Sequence, residues 1–376
     1  MTARSSIPAE RVESVFRGHF EAGQETGASV CLWTDDGPVV SLAGGWRERE
    51  MTNPWGRDTL VPVWSATKGP ASAALLHAMA AHGLDPDSSV DLVWPRLPVS
   101  LTFGQLMSHQ GGLAALDRRV DVFDHAAVVA AIEDQRPSFR PPEHGYHPRT
   151  FGCLLDELVR RITGAPNLGA YWHEALARPN NIDFWIGLPE SEDHRVARLV
   201  PGRPEVPPEE EEFYRAFNTP GTLSRRAFQS PHGLHTAAEM NQAEARRAAL
   251  PGFGGLGTAE GLAKFYHLLG SKALLGETAT EWCRRRRADG PDSILLLPTA
   301  FGCGFMLDPL DTPGRKLRQV FGPHPEAFGH PGAGGSQAFF DPGTGAGFAY
   351  VMNRMALGVL PGARARALVS AWFEIC

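Results

Sequence analysis

Apolar residues at Val12, Val15, Phe16 and Phe20 recur with a helical rhythm and predict an amphipathic helix over 9–24. Two apolar runs follow, 28–34 and 39–45, separated by Asp35-Asp36-Gly37-Pro38, and together they predict a β-hairpin. Residues 71–84 are rich in Ala and Leu and stop near Gly83, which predicts a buried helix whose first turn lies close to Ser65. Pro70 is tolerated only near a helix start, so the turn from Ser65 to Lys68 is expected to be tight or kinked.

From 85 to 188 the pattern is mainly helical, with Thr102 as a cap and an amphipathic helix at 150–163. From 189 to 250 it turns irregular and rich in Pro, with the acidic run Glu209–Glu212; a structureless stretch of that length predicts a wall or lid. A helix at 258–270, strands at 301–307, 335–340 and 346–353, and a helix at 361–375 complete the chain. Strands at both ends and helices between them predict an α+β fold. In it an antiparallel sheet flanked by helices is built from 1–84 and 251–376, and 85–250 forms an inserted, mainly helical domain.

Composition narrows the classes of function. With 376 residues and 43% hydrophobic content the chain can bury a large core, and a net charge of −6 gives no nucleic-acid footprint. The one dense basic run, Arg284–Arg287, reads as a solvated helix end. Five widely spaced cysteines contain no C-x-x-C pair, and the histidines show no metal-ligand spacing, so no metal and no cofactor are expected. Cys31 and Cys153 lie in apolar runs and read as buried small hydrophobes. No segment reaches membrane-spanning length and the first ten residues have no apolar signal core, which reads as a soluble cytoplasmic protein; the oligomeric state stays open.

The candidate chemistry begins at Lys68, one of only four lysines in the chain, three residues after Ser65. Arginine stays protonated in proteins, whereas a desolvated lysine can become neutral and act as a base. At i and i+3 the two side chains can meet, and the helix start offers an unpaired Ser65 N–H for an oxyanion. Tyr146, in the Pro/Gly-rich stretch 141–152, places a phenol just before a helix, where it can exchange protons or orient the lysine; His147 beside it is a supporting contact. The run Phe328–Ser336, with His330, Gly332 and Ala333, lets substrate approach a strand edge, and the Ala333 N–H is the candidate second oxyanion donor. His109 reads as a structural histidine.

Taken in order, Ser65-Ala66-Thr67-Lys68, Tyr146-His147-Pro148 and His330-Pro331-Gly332 resemble the three motifs of the serine β-lactamase-like superfamily. This group includes class C β-lactamases, related D-alanyl-D-alanine carboxypeptidases and, most similar in look, family VIII carboxylesterases. The stretches 101–113 and 249–266 also resemble that group, whereas 189–248 does not. The resemblance implies that Ser65 becomes acylated, that Lys68 and Tyr146 share the proton transfers, and that His330, Gly332 and His147 contact the substrate. Which of Lys68 and Tyr146 is the base stays open.

The departures from the motifs bear on the substrate. Pro148 stands where the β-lactamases carry Asn, Pro331 lacks the hydroxyl that helps hold a substrate carboxylate, and His330 replaces Lys, leaving a weaker, pH-dependent positive charge. The expected activity is therefore a serine carboxylesterase on small to medium acyl esters, with little β-lactam hydrolysis. The alternatives are an acyltransferase with an alcohol or amine acceptor, a D-amino-acid peptidase or amidase, which would need a carboxylate-binding Arg near His330, and a non-catalytic binding homologue.

Overall fold

The computed structural model describes residues 6–202, 205–312 and 314–373. Among these, the main sheet has eight strands: β1 (Gly27–Thr34), β2 (Gly37–Gly45), β3 (Ala288–Pro291), β4 (Pro298–Phe301), β5 (Met306–Leu307), β6 (Phe328–Pro331), β7 (Gln337–Asp341) and β8 (Ala346–Met352). Their order is β2-β1-β8-β7-β6-β5-β4-β3, with antiparallel neighbours throughout. The N-terminal hairpin thus joins the C-terminal strands through β1 and β8, in the register Val30↔Tyr350.

Alternation along the strands sets the two faces. Val30, Leu32, Phe339, Phe348 and Tyr350 belong to one apolar cluster, with Val12 and Phe16 of α1 (Ser6–Glu21) and Leu368 and Val369 of the C-terminal helix (Ala363–Phe373). Cys31, Ala338, Phe340, Ala349 and Val351 belong to the opposite cluster, with α2 (Lys68–Ala81), α3 (Thr150–Thr163) and α4 (Ala259–Gly270). α2 is buried on nearly every side, so its all-apolar surface is that of a central helix. Pro70 falls in its first turn, where no intrahelical N–H bond is required. Thr102 closes a capping box with Gln105, and Gly164 ends α3 in the left-handed region.

Several expectations change. The strand expected at 301–307 is a tight hairpin, β4 and β5, because Gly304 takes φ +79° and Gly302 N–H bonds the Phe305 carbonyl at 2.9 Å. The histidine-glycine run does not merely lead into a strand: His330 and Pro331 end β6, and Ala333 lies in the turn from there to β7. The stretch 189–250 holds short helices at Glu211–Asn218, Leu223–Gln229, Ala237–Met240 and Ala243–Arg247. The capping box Thr236/Glu239 was a readable helix signal there. Phe184–Ile186 pairs with Gly255–Gly257, which pairs in turn with Val61–Pro62, three residues before Ser65. Cys31 is buried, whereas Cys153 is only partly so. Residues 374 and 375 of the expected last helix lie outside the described residues.

Among the described residues no helix is long and apolar enough to cross a membrane.

Candidate active site

Ser65 lies in a one-turn 3-10 helix, Trp64–Thr67, that runs directly into α2. Trp64 adopts φ +49°, a strained conformation for so large a side chain, and its ring stacks on Phe253 at 6.5 Å. Trp64, Ala66 and Thr67 are buried, so Ser65 alone of the turn retains partial exposure. The close approach of Gly332 completes this corner. A Cβ on Gly332 would lie 2.1 Å from the Val63 carbonyl, so any side chain there would push the end of β6 off the serine turn.

Lys68 is fully buried. Its Nζ lies 2.8 Å from the Pro148 carbonyl, 2.7 Å from the Gly252 carbonyl and 3.2 Å from Ser65 Oγ. Burial, reinforced by the Arg149 cation, holds its pKa well below the usual lysine range. A neutral amine has two N–H groups and one lone pair. Two carbonyl acceptors take the N–H groups, which leaves the lone pair for the Ser65 hydroxyl.

Arg149 is itself buried, and its guanidinium donates to the carbonyls of Pro231, Leu234 and Gly233 and stacks on Phe253 at 4.3 Å. It therefore ties the 231–234 loop to the site and adds positive potential beside Lys68.

The Tyr146 ring stacks on Phe301 at 6.3 Å, lies 5.8 Å from the His330 ring, and has Lys68 Nζ 4.8 Å from its centroid. Burial raises its pKa, against the pull of a hydrogen bond with the Ser65 side chain, so the phenol stays protonated. Asp292 anchors the backbone that carries it. This buried carboxylate accepts from the N–H groups of Tyr146 at 3.0 Å, Ile294 and Leu295 at 2.8 Å, and from the Thr299 hydroxyl at 2.9 Å, while Thr299 Oγ1 also meets His144 Nε2 at 3.0 Å. An Asp292→Asn substitution turns an NH₂ group toward those donors. It is expected to lower stability by about 3 kcal/mol, read from urea midpoints, and to reduce turnover as Tyr146 loses its anchor.

His147 is held on both sides by the backbone. Its Nδ1–H donates to the Gly145 carbonyl at 2.7 Å, and Nε2 accepts from the Leu113 N–H at 3.0 Å, so both ring nitrogens are engaged within the protein. Burial lowers its pKa to about 4. His109 accepts from the His147 N–H at 3.1 Å and sits among Phe151, Phe301 and Tyr146 as a buried structural ring.

His330 also departs from expectation. Burial, with Lys68 nearby, lowers its pKa to about 3, so the ring carries no positive charge near neutral pH. Its Nδ1–H donates to the Pro331 carbonyl at 2.7 Å, and Nε2, a bare acceptor, has no partner among the described residues.

Ser65 and Ala333 line one cavity of about 280 Å³. Its walls are largely apolar and aromatic, including Trp64, Phe213, Phe217, Phe228, Phe253 and Met355. The stretch 211–237 thus supplies one side of the cavity over the serine. Sequence reading missed Asp292 and the part played by Arg149. Neither carries a local signal, because each acts on residues far away in the chain or through its burial.

Comparison with known proteins gives a consistent picture. A family model described as Beta-lactamase matches residues 12–371. The esterase/beta-lactamase LipL of Mycobacterium tuberculosis (strain ATCC 25618 / H37Rv) is 30% identical over 369 residues, spanning 92% of this chain and 81% of that protein. Among solved structures, a family VIII carboxylesterase superposes with a TM-score of 0.85 at 31% identity, covering 98% of this chain and 97% of the other. A penicillin-binding protein homologue from Caulobacter crescentus superposes with a TM-score of 0.80 at 34% identity, with the same coverage.

Proposed function

The chain belongs to the beta-lactamase family and is a serine hydrolase; from that premise we propose that it is a carboxylesterase acting on neutral, apolar acyl esters through an acyl-Ser65 intermediate. The observation that carries the reading is the contact set of Lys68 Nζ, two carbonyls and Ser65 Oγ, which leaves a neutral amine its lone pair for the serine proton.

Lys68 takes the Ser65 proton as Oγ bonds to the ester carbonyl carbon. The N–H groups of Ser65 and Ala333 stabilise the oxyanion. Collapse breaks the bond to the alcohol oxygen, which takes the Tyr146 phenol proton, and the Lys68 ammonium returns a proton to the phenolate. Water then attacks the acyl-serine, giving its proton to Lys68 as the new bond forms, and Ser65 Oγ leaves with a proton from the same pair. The acid is released and each group regains its starting state.

The neutral-ester reading rests on what surrounds the serine. Pro148 and Pro331 offer no side-chain hydrogen bond to an amide or a carboxylate, and His330 is held neutral. Among the described residues Arg149 is the one arginine lining the cavity, and its guanidinium already serves three backbone carbonyls, which weakens the peptidase reading.

The test pairs turnover with labelling. The protein is assayed on p-nitrophenyl butyrate and on a chromogenic cephalosporin, and a fluorophosphonate adduct is mapped by mass spectrometry. Ester turnover well above cephalosporin turnover, with one adduct on Ser65, is the expected result. An absence of both ester turnover and adduct would overturn the reading.

A further inference from the structure

Part of the cavity wall is made by two segments that are distant in sequence. One is the helix Glu211–Asn218, which presents Phe213, Tyr214 and Phe217; the other is the turn at 355–359, which presents Met355 and Val359. Phe228 braces the first, with ring centroids 5.1 Å from Phe213 and 5.8 Å from Phe217.

Three polar contacts join the two segments. The Glu210 carboxylate accepts from the N–H groups of Val359 at 2.9 Å and Leu360 at 3.0 Å, and the Tyr214 hydroxyl accepts from the Gly358 N–H at 2.8 Å. Glu210 occupies the N-cap position of its helix yet makes no capping bond there. An acid at that position ordinarily serves its own helix. This one is buried and spends both oxygens on the opposite segment.

Resting on the esterase reading, we propose that Glu210 and Tyr214 form a latch that sets the upper length limit of the acyl group, and that the cavity so bounded admits apolar acyl groups of medium size. At about 280 Å³ the cavity falls just below the roughly 300–1,000 Å³ of sites for drug-sized ligands. The latched turn, through Gly358 and Val359, forms part of its lining. A longer chain that runs against that turn displaces it and breaks the hydrogen bonds that Glu210 and Tyr214 accept from Gly358, Val359 and Leu360.

The experiment measures kcat/KM on p-nitrophenyl butyrate, octanoate and laurate for the native chain, Glu210→Gln, Tyr214→Phe and Phe217→Ala, with thermal midpoints for each. Native activity should fall at least about tenfold from octanoate to laurate, since single methylenes in a filled pocket already discriminate by that order. Glu210→Gln replaces one accepting oxygen with a donor that faces an N–H group. It should raise the laurate-to-butyrate ratio about tenfold while butyrate turnover changes little. Tyr214→Phe keeps the ring, loses the acceptor and should raise the ratio in the same direction. Phe217→Ala enlarges the wall directly and calibrates how far the ratio can move.

A ratio that stays at the native value in both latch variants while Phe217→Ala moves it overturns the latch and leaves the esterase reading intact. A loss of all three esters in proportion to a lower thermal midpoint also overturns it, because the contacts would then serve stability alone. Failure of the native chain on every ester overturns both readings together, and is told apart by the absence of turnover before any substitution.

Discussion

A Ser65→Ala chain should fold as the native chain does and hydrolyse p-nitrophenyl butyrate about 10⁴-fold more slowly or worse, with no fluorophosphonate adduct. The size follows from the parts that serve this one atom. Lys68 Nζ sits 3.2 Å from Ser65 Oγ, the Tyr146 phenol hydrogen-bonds the same side chain, and Ser65 is the one member of its turn left partly exposed. With Oγ gone, the amine and the phenol have no nucleophile to deprotonate, and water held between them is neither aligned nor covalently committed. Folding should be little affected. The strained Trp64 backbone and the Gly332 approach involve main chain and neighbouring side chains, not the hydroxyl. A residual rate within about tenfold of native, measured on protein checked by mass spectrometry for the substitution, would remove Ser65 from the mechanism.

Much of this site could be read from the sequence because its parts are marked by residue types that are costly elsewhere. A lysine three residues from a serine at a helix start, a tyrosine among prolines and glycines, and a glycine after His330-Pro331 each announce a special local need. The terminal strands were legible for a related reason: Phe339, Phe348 and Tyr350 alternate with Ala338, Ala349 and Val351 because the sheet is covered on both faces. The short strands β3, β5 and β6 left no such pattern, being two to four residues long.

The charge states could not be read in the same way. His330 looked like a weak cation in place of a lysine, yet it is neutral because burial, not residue type, sets its pKa. His147 looked like a substrate contact and is instead a strut whose two nitrogens hold Gly145 and Leu113. Asp292 holds the Tyr146 backbone from 146 residues away. The aromatic wall came from a stretch whose helices of four to eight residues are too short to show a period. In each case the deciding quantity is a neighbour supplied by the fold.

Lys68→Arg is the sharper test of how the site works, because it puts a permanent cation where the neutral amine stood and removes the base. Arginine does not give up its proton in proteins, so it cannot accept one from Ser65. The variant should lose about 10³-fold in kcat/KM, within the range set by positioned general bases. A thermal midpoint and circular dichroism check the fold, and Lys68→Gln, which can still donate to one carbonyl, separates misfitting of the larger guanidinium from loss of the base.

The pH profile carries the same logic. Lys68 must be unprotonated to act, and burial together with Arg149 lowers its folded pKa well below the roughly 10.4 of a free lysine. Activity of the native chain is therefore present above the lowered pKa and lost as pH falls through it, so the acidic limb of kcat/KM should lie far below pH 10. Arg149→Gln removes the neighbouring cation and makes protonation of Lys68 easier. Its acidic limb should move to higher pH, while Glu210→Gln, which lies outside the cavity lining, should leave the limb in place. A native profile whose acidic limb stays fixed in Arg149→Gln, or a Lys68→Arg chain that retains most of its activity, would shift the base from Lys68 to Tyr146. That outcome would require the buried phenol to ionise against the burial that now keeps it protonated.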